Sequence, residues 1–167
     1  MKKVQILTTQ QIQQKLNRLA YEIYEHTADE KEVFMAGIEG NGYTVAKKLA
    51  TLLKKISGQQ VILGKITIDK KNPLAVTPKT DLKEKDYKNK VVIVVDDVLN
   101  SGKTLIYGVQ LFLNQPVKKL HTAVLVDRSH TRYPVKADFV GLSLSTTLQE
   151  HIVADLSHSG RETVYLE

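Results

Sequence analysis

The chain contains no cysteine and no tryptophan, and only four prolines in 167 residues. Without cysteine there is no disulfide, no thiol nucleophile and no Cys-based metal site. Long hydrophobic runs are missing as well. No apolar stretch approaches the ~20 residues needed to span a bilayer. The N-terminus, MKKVQILTTQQIQQKLNRL, starts with lysine but meets Gln and Asn before any apolar core forms, so it is not a signal peptide. A cytoplasmic location without a membrane partner is the expectation. Aromatic residues make up 6% of the chain. None is interleaved with basic residues in the manner of platforms that stack single-stranded nucleic acid.

What is present is ordinary for a globular protein: 42% hydrophobic and 25% charged residues. The length suits one domain, residues 1–167, able to bury a sizeable core. Lys and Arg total 24 against 18 Asp and Glu, a formal charge of +6. That excess is compatible with anionic ligands or nucleic acid and demands neither. The lysines are scattered in pairs such as Lys47-Lys48 and Lys118-Lys119, which read as solvated faces.

Apolar spacing organises the chain into alternating strands and helices. Thr8 or Thr9 caps a helix carrying Ile12, Leu16, Leu19, Ala20 and Ile23 on one face. Glu32 to Ile38 reads as a strand, followed by Gly40 and Gly42 and a second helix with Val45, Ala46, Leu49, Leu52, Leu53 and Ile56. Val61 to Ile68 alternates like a strand. Asp69 to Lys90 lacks periodicity and is long for a loop, which marks it as a lid or mobile segment. Thr104 to Asn114 is a third helix and Leu120 to Asp127 a further strand. Phe139 to Leu144, Ile152 to Leu156 and Thr163 to Leu166 are weaker strands. This β–α alternation predicts an α/β fold: a central parallel sheet flanked by helices.

The most informative stretch is Val91 to Thr104, VVIVVDDVLNSGKT. The unbroken run Val91 to Val95 suits a parallel strand buried on both faces. Asp96 and Asp97 then stand at its carboxyl end, where open α/β sheets bind ligands. Asn100 to Thr104 leads into a helix N-terminus, whose free amides favour phosphate. Acceptors for sugar hydroxyls thus adjoin a phosphate cradle, a combination that points to a ribose-phosphate ligand. Gly102-Lys103-Thr104 also matches the end of a P-loop. That motif needs a glycine where this chain has Asp97, and a carboxylate there would repel the phosphates. A phosphohydrolase or kinase is disfavoured accordingly. A second glycine-bearing turn, Glu39-Gly40-Asn41-Gly42, lies between a strand and a helix and offers backbone amides to an anion. Val126-Asp127-Arg128-Ser129-His130 ends another strand on the same sheet edge. There Arg128 offers a planar cation to a pyrophosphate or base carbonyl, or forms a surface pair with Asp127.

VVIVVDDVLNSGKT resembles the phosphoribosyl-diphosphate (PRPP) signature of the type I phosphoribosyltransferases. AVLVDRSHTRYPVKADFVG, Val33 to Leu53 and Gly64 to Ile68 resemble the bacterial pyrimidine operon attenuator proteins, which are also uracil phosphoribosyltransferases. The resemblance implies a small hood over the sheet and a flexible loop. It implies that Asp96 and Asp97 hold the ribose hydroxyls and, with them, Mg²⁺, Asp97 being counted as catalytic. Asn100, Ser101, Gly102, Lys103 and Thr104 would hold the 5-phosphate, Glu39, Gly40 and Asn41 the pyrophosphate, and Arg128 the other substrate. The implied reaction transfers phosphoribosyl from PRPP to a nucleobase, uracil. Pyrophosphate is released, and a homo-oligomer does the work. The alternative is a non-catalytic, nucleotide-sensing regulator of pyrimidine genes that binds RNA.

Two departures qualify the resemblance. The attenuator family carries a basic residue and a Thr-Arg where this chain has Glu39, Gly40 and Asn41. A carboxylate facing pyrophosphate and lost cationic donors predict weak turnover. Asn100 stands where purine-salvage members carry an Asp and pyrimidine-type members an aromatic residue. Asp155 and Arg161 resemble a metal-linked Asp and a pyrophosphate Arg of the purine-salvage enzymes, and a plain strand and turn explains both equally well. Lys65, Lys70 and Lys71 flank the segment expected to close over the diphosphate.

Overall fold

A computed structural model describes residues 3–167. Nine strands and four helices follow one another: β1 (Val4–Leu7), α1 (Thr9–Thr27), β2 (Glu32–Ile38), α2 (Asn41–Ser57), β3 (Gln60–Thr67), β4 (Lys79–Thr80), α3 (Glu84–Tyr87), β5 (Val91–Leu99), α4 (Lys103–Gln110), β6 (Lys119–Asp127), β7 (Phe139–Ser143), β8 (Ile152–Asp155) and β9 (Thr163–Leu166). The main sheet has the order β4-β3-β2-β5-β6-β7. All its strands run parallel except the two-residue β4, which pairs antiparallel to β3. The α/β class with a central, mostly parallel sheet is as the sequence predicts.

Burial explains why the apolar run forms the central strand. Val91 to Val95 are 0% exposed. Their alternate side chains enter two different cores. Val91, Ile93 and Val95 pack with the apolar faces of α1 and α2. Val92 and Val94 pack with Leu105 of α4, Tyr87 of α3 and Phe112. A strand covered on both faces has no polar side, hence the continuous run. Thr8 caps α1 through a reciprocal capping box with Gln11. Gly58 ends α2 in the left-handed conformation. α4 stops at Gln110, short of the expected Asn114, and residues 111–114 continue as turns.

Two features go beyond the sequence reading. The segment 69–90 is not structureless: it contains β4 and α3. Tyr87, 1% exposed, anchors it by stacking edge-on against Phe34 at 6.4 Å and Phe112 at 5.1 Å. The family resemblance of Gly64 to Ile68 implies a small hood next to that segment. The small second sheet is instead built from the chain ends, in the order β1-β9-β8, all antiparallel. β1 escaped notice because Val4 and Gln5 are exposed and only Leu7 is buried. Side chains fasten this sheet to the main body. Lys48 of α2 pairs with buried Glu162 at 2.6 Å, and Thr9 donates to the Glu162 carbonyl at 2.8 Å. At the other margin, Arg18 donates to the Val140 and Gly141 carbonyls of edge strand β7. Among the described residues, no helix is long and apolar enough to cross a membrane.

Tyr87→Ala should destabilise the protein by about 3–5 kcal/mol, the usual cost of deleting a buried aromatic side chain. Urea unfolding followed by circular dichroism measures it. A loss under about 1 kcal/mol would mean that 69–90 is not anchored there.

Candidate active site

The order of crossovers creates the site. α2 follows β2 and covers one face of the sheet, whereas α4 follows β5 and covers the other. The chain therefore leaves adjacent strands β2 and β5 in opposite directions, and a crevice opens between their carboxyl ends. Register pairing of β2 with β5 stops at Gly37–Val95, one residue before the acidic pair. β5 itself continues to Leu99 along β6. Asp96 and Asp97 consequently flank the crevice from within a strand, not from a loose turn.

A cleft of about 390 Å³ lies there, lined by Asn41, Lys70, residues 96–105 and Ile152 to Ala154. Asp96 is 4% exposed, and its Oδ1 accepts the Asp97 amide at 2.9 Å. Burial first, and the neighbouring Asp97 charge second, push the Asp96 carboxyl well above the ordinary carboxylate range, while Lys70 pulls it back. The Lys70 ammonium stands 3.5 Å from Asp96 Oδ1 and 3.8 Å from Asp97 Oδ1. Gly42 explains how α2 comes so close. A Cβ at that position would lie 2.7 Å from Asp96 Oδ1. The glycine admits Asp96 of the acidic pair.

The loop Asn100 to Thr104 forms the adjoining wall. Gly102 is left-handed at φ +83° and caps α4 without a side chain, leaving the cap position open toward the cleft. Behind it, the Ser101 carbonyl accepts the Arg132 and Tyr133 amides at 2.8 and 3.1 Å. A Cβ on Gly102 would meet Val135 at 2.6 Å. Lys103 donates its ammonium to the Lys71 carbonyl at 3.1 Å.

The expected pyrophosphate loop is divided. Asn41 lines the cleft and donates to the Ala154 carbonyl at 2.7 Å, linking α2 to the small sheet. Glu39 and Gly40 are exposed and do not line it. Glu39 faces Lys65 at 3.9 Å. Arg128, 8% exposed, does not line the cleft either. Its Nε donates to Thr146 Oγ1 at 2.6 Å and its Nη2 to the Thr147 carbonyl at 2.8 Å. His130 meets the Thr146 carbonyl at 2.6 Å. No Asp127–Arg128 pair forms; Asp127 accepts the Ser129 amide instead. Asp155 is taken up by Ser157, which lowers its carboxyl's pKa. Sequence reasoning missed Ile152, Val153 and Ala154 as cleft residues. They carry no polar signal and arrive from a different sheet.

Among the described residues, no three His, Cys, Asp or Glu side chains cluster to hold a metal unaided. Asp96 and Asp97 supply two carboxylates. That number suits Mg²⁺ when substrate phosphates and water complete its shell. The lysine ammonium already between them shows that the place favours a cation.

Comparison with known proteins gives this geometry its family. The model of the phosphoribosyl transferase domain matches residues 3–159. The chain belongs to the type I phosphoribosyltransferases. A relative named bifunctional protein PyrR, from Clostridium acetobutylicum, is 34% identical over 157 residues, covering 90% of this chain and 88% of the relative. The protein of the same name from Bacillus pumilus is 34% identical over 166 residues, covering 93% and 91%. Among solved structures, a hypoxanthine-guanine phosphoribosyltransferase from Bacillus anthracis superposes with a TM-score of 0.76 at 19% identity, covering 96% of this chain and 95% of that one. The hypoxanthine phosphoribosyltransferase of Trypanosoma cruzi gives 0.79 at 16% identity, covering 97% and 94%. At these identities the two structures share the fold.

The raised Asp96 carboxyl generates a pH signature. The folded chain favours its protonated form, so its contribution to stability is full below about pH 4, the unfolded value, and is lost as pH rises through the folded value. Asp96→Asn stays neutral throughout. Its thermal midpoint should match wild type near pH 4 and exceed it increasingly toward pH 8. A scan series over that range checks this. A variant less stable than wild type at pH 8 contradicts it.

Proposed function

We propose that this phosphoribosyltransferase binds PRPP and transfers its phosphoribosyl group to uracil. The observation that carries the reading is one cleft in which the acidic pair and the small-residue loop opening α4 stand side by side. Asp96 and Asp97 accept the ribose hydroxyls. Asn100, Ser101, Gly102, Lys103 and Thr104 take the 5-phosphate through loop amides, hydroxyls and the Lys103 ammonium, aided by the dipole of α4.

In the reaction the bond from C1′ to the diphosphate oxygen breaks, and its electron pair leaves with pyrophosphate. A ring nitrogen of the base bonds to C1′ and gives its proton to solvent. Charge separates across a short distance, so positioning and electrostatic stabilisation supply the catalysis, and no covalent nucleophile is needed. Asp97 serves as a catalytic group by fixing the ribose. Asp96 and Asp97 would hold Mg²⁺, which would supply positive charge to offset the leaving diphosphate.

Asn41, on the cleft wall, meets the pyrophosphate through its backbone, with exposed Gly40 beside it at the rim. Glu39, already paired with Lys65, adds no cation, and slow turnover follows. Arg128 serves the base side by fixing residues 146–147. The choice of a pyrimidine rests on the VDRSH segment and on Asn100, which cannot act as a base toward a purine.

A second reading, a nucleotide-sensing regulator that binds RNA, draws support from the charge of +6 and from the bifunctional naming of the relatives. It also draws on Tyr43. The sequence reading found no aromatic interleaved with basic residues, yet folding brings Lys65 to 5.3 Å and Lys47 to 6.0 Å from the Tyr43 ring. Cytoplasmic location and homo-oligomeric assembly belong to the same proposal.

Pyrophosphate release measured with PRPP and each free base should be fastest with uracil. Asp97→Asn should weaken PRPP binding by about 1.5–3 kcal/mol, the worth of a charge-assisted hydrogen bond. Faster release with hypoxanthine or guanine, or unchanged PRPP affinity by titration calorimetry, would overturn the proposal.

A further inference from the structure

The residues after β3 fold back into the cleft as a short strap. Asp69 shapes it by accepting the Lys71 and Asn72 amides at 2.9 and 3.1 Å. Two lysines then hold the strap inward. Lys70, on the strap, reaches Asp96 at 3.5 Å and Asp97 at 3.8 Å. Lys103, on the phosphate loop, reaches the Lys71 carbonyl at 3.1 Å.

The carboxylates that Lys70 meets are mostly withdrawn from water, 6% and 14% exposed at the side chain. Among the described residues, no other lysine, arginine or histidine stands within 4 Å of either. Charge on two adjacent carboxylates with so little solvent requires an offset, and Lys70 is the counter-charge present.

Resting on the reading of the acidic pair as the metal and ribose site, we infer that Lys70 is its resident counterion. It holds the divalent cation's place in the free protein and yields it when cation and PRPP arrive together. A divalent ion alone must expel the ammonium into water. PRPP accompanies the ion with phosphates that receive the expelled ammonium, and its 5-phosphate competes with Lys71 for Lys103. Both tethers of the strap are released by the same ligand. Lys70 therefore couples the two binding events: the metal binds weakly alone and tightly with PRPP, and by reciprocity PRPP gains as much from the metal. Lys70 is a positioning residue in this scheme, set apart from a surface lysine by its effect on metal affinity in the absence of any substrate.

Mn²⁺ alone, followed by calorimetry and by its electron paramagnetic resonance signal, tests the inference on the full chain. Lys70→Gln should bind Mn²⁺ about tenfold more tightly than wild type. Lys70→Arg, which keeps the charge, should stay near wild type. The enhancement of Mn²⁺ binding by PRPP should shrink in Lys70→Gln by the same factor. Equal Mn²⁺ affinity in wild type and Lys70→Gln, or no measurable Mn²⁺ binding in Lys70→Gln, overturns the counterion role even where PRPP binds. A tenfold gain that disappears in Lys70→Gln/Asp97→Asn upholds it. If PRPP binds none of these proteins while that gain persists, the transfer reading fails and the counterion stands.

Discussion

The repulsion between two adjacent carboxylates at the end of the central strand is the constraint around which this structure is arranged. Asp96 is buried, and its neighbour carries the same charge. In water the pair would repel only mildly, but for carboxylates this far withdrawn from solvent the cost rises. The surroundings answer it in specific ways. Gly42 opens room for the first turn of α2 to lie against Asp96. That turn brings the positive end of a helix dipole to the carboxylate. The Asp97 amide turns back to Asp96, and Lys70 reaches in from the strap.

The cleft owes its walls to two sheets with different origins. The main sheet supplies the acidic pair and the small-residue loop Asn100 to Thr104. The small sheet, made from the first and last strands of the chain, supplies Ile152 to Ala154. Their separation is held by Asn41 on the Ala154 carbonyl and by Lys48 on buried Glu162. Glu162 is fully engaged: it also accepts the Gly160 amide at 2.9 Å, and the attractions of Lys48 hold its carboxyl below the ordinary range. Asn41 is thus a joint between the layers as well as a cleft residue, which gives a structural reason for an asparagine at a position where a cationic side chain was expected.

The pyrophosphate turn shows the chain's own departure most clearly. Glu39 points out to Lys65, and Lys65 also lies over the Tyr43 ring. The cations near the cleft are Lys70 and Lys103, one from the strap and one from the phosphate loop. The turn after β2 carries no cation, and the two lysines come from elements that meet only in the folded chain. The strap is tied down by these same two lysines, Lys70 on the acidic pair and Lys103 on the Lys71 carbonyl.

The sequence by itself determined the elements that carry their own signal. The apolar run of β5, the helical spacing of α1 and α2, and the carboxylates followed by a small-residue loop are all local, and local patterns reflect how one segment is buried. Strands β2 and β9 begin and end where the pattern places them. Tertiary structure alone decided what depends on distant partners. β1 and β9 are paired across almost the whole chain, yet neither short segment announces the other. Arg128 reads as a ligand clamp by its position after a strand, but Thr146 and Thr147 satisfy its guanidinium from the far end of the next strand. Gly42 looks like a turn glycine until Asp96 is seen against it, and Tyr43 looks isolated until β3 delivers Lys65. Periodicity records whether a side chain is covered. Which side chain covers it is set by strand order and crossover direction, and those belong to the whole fold.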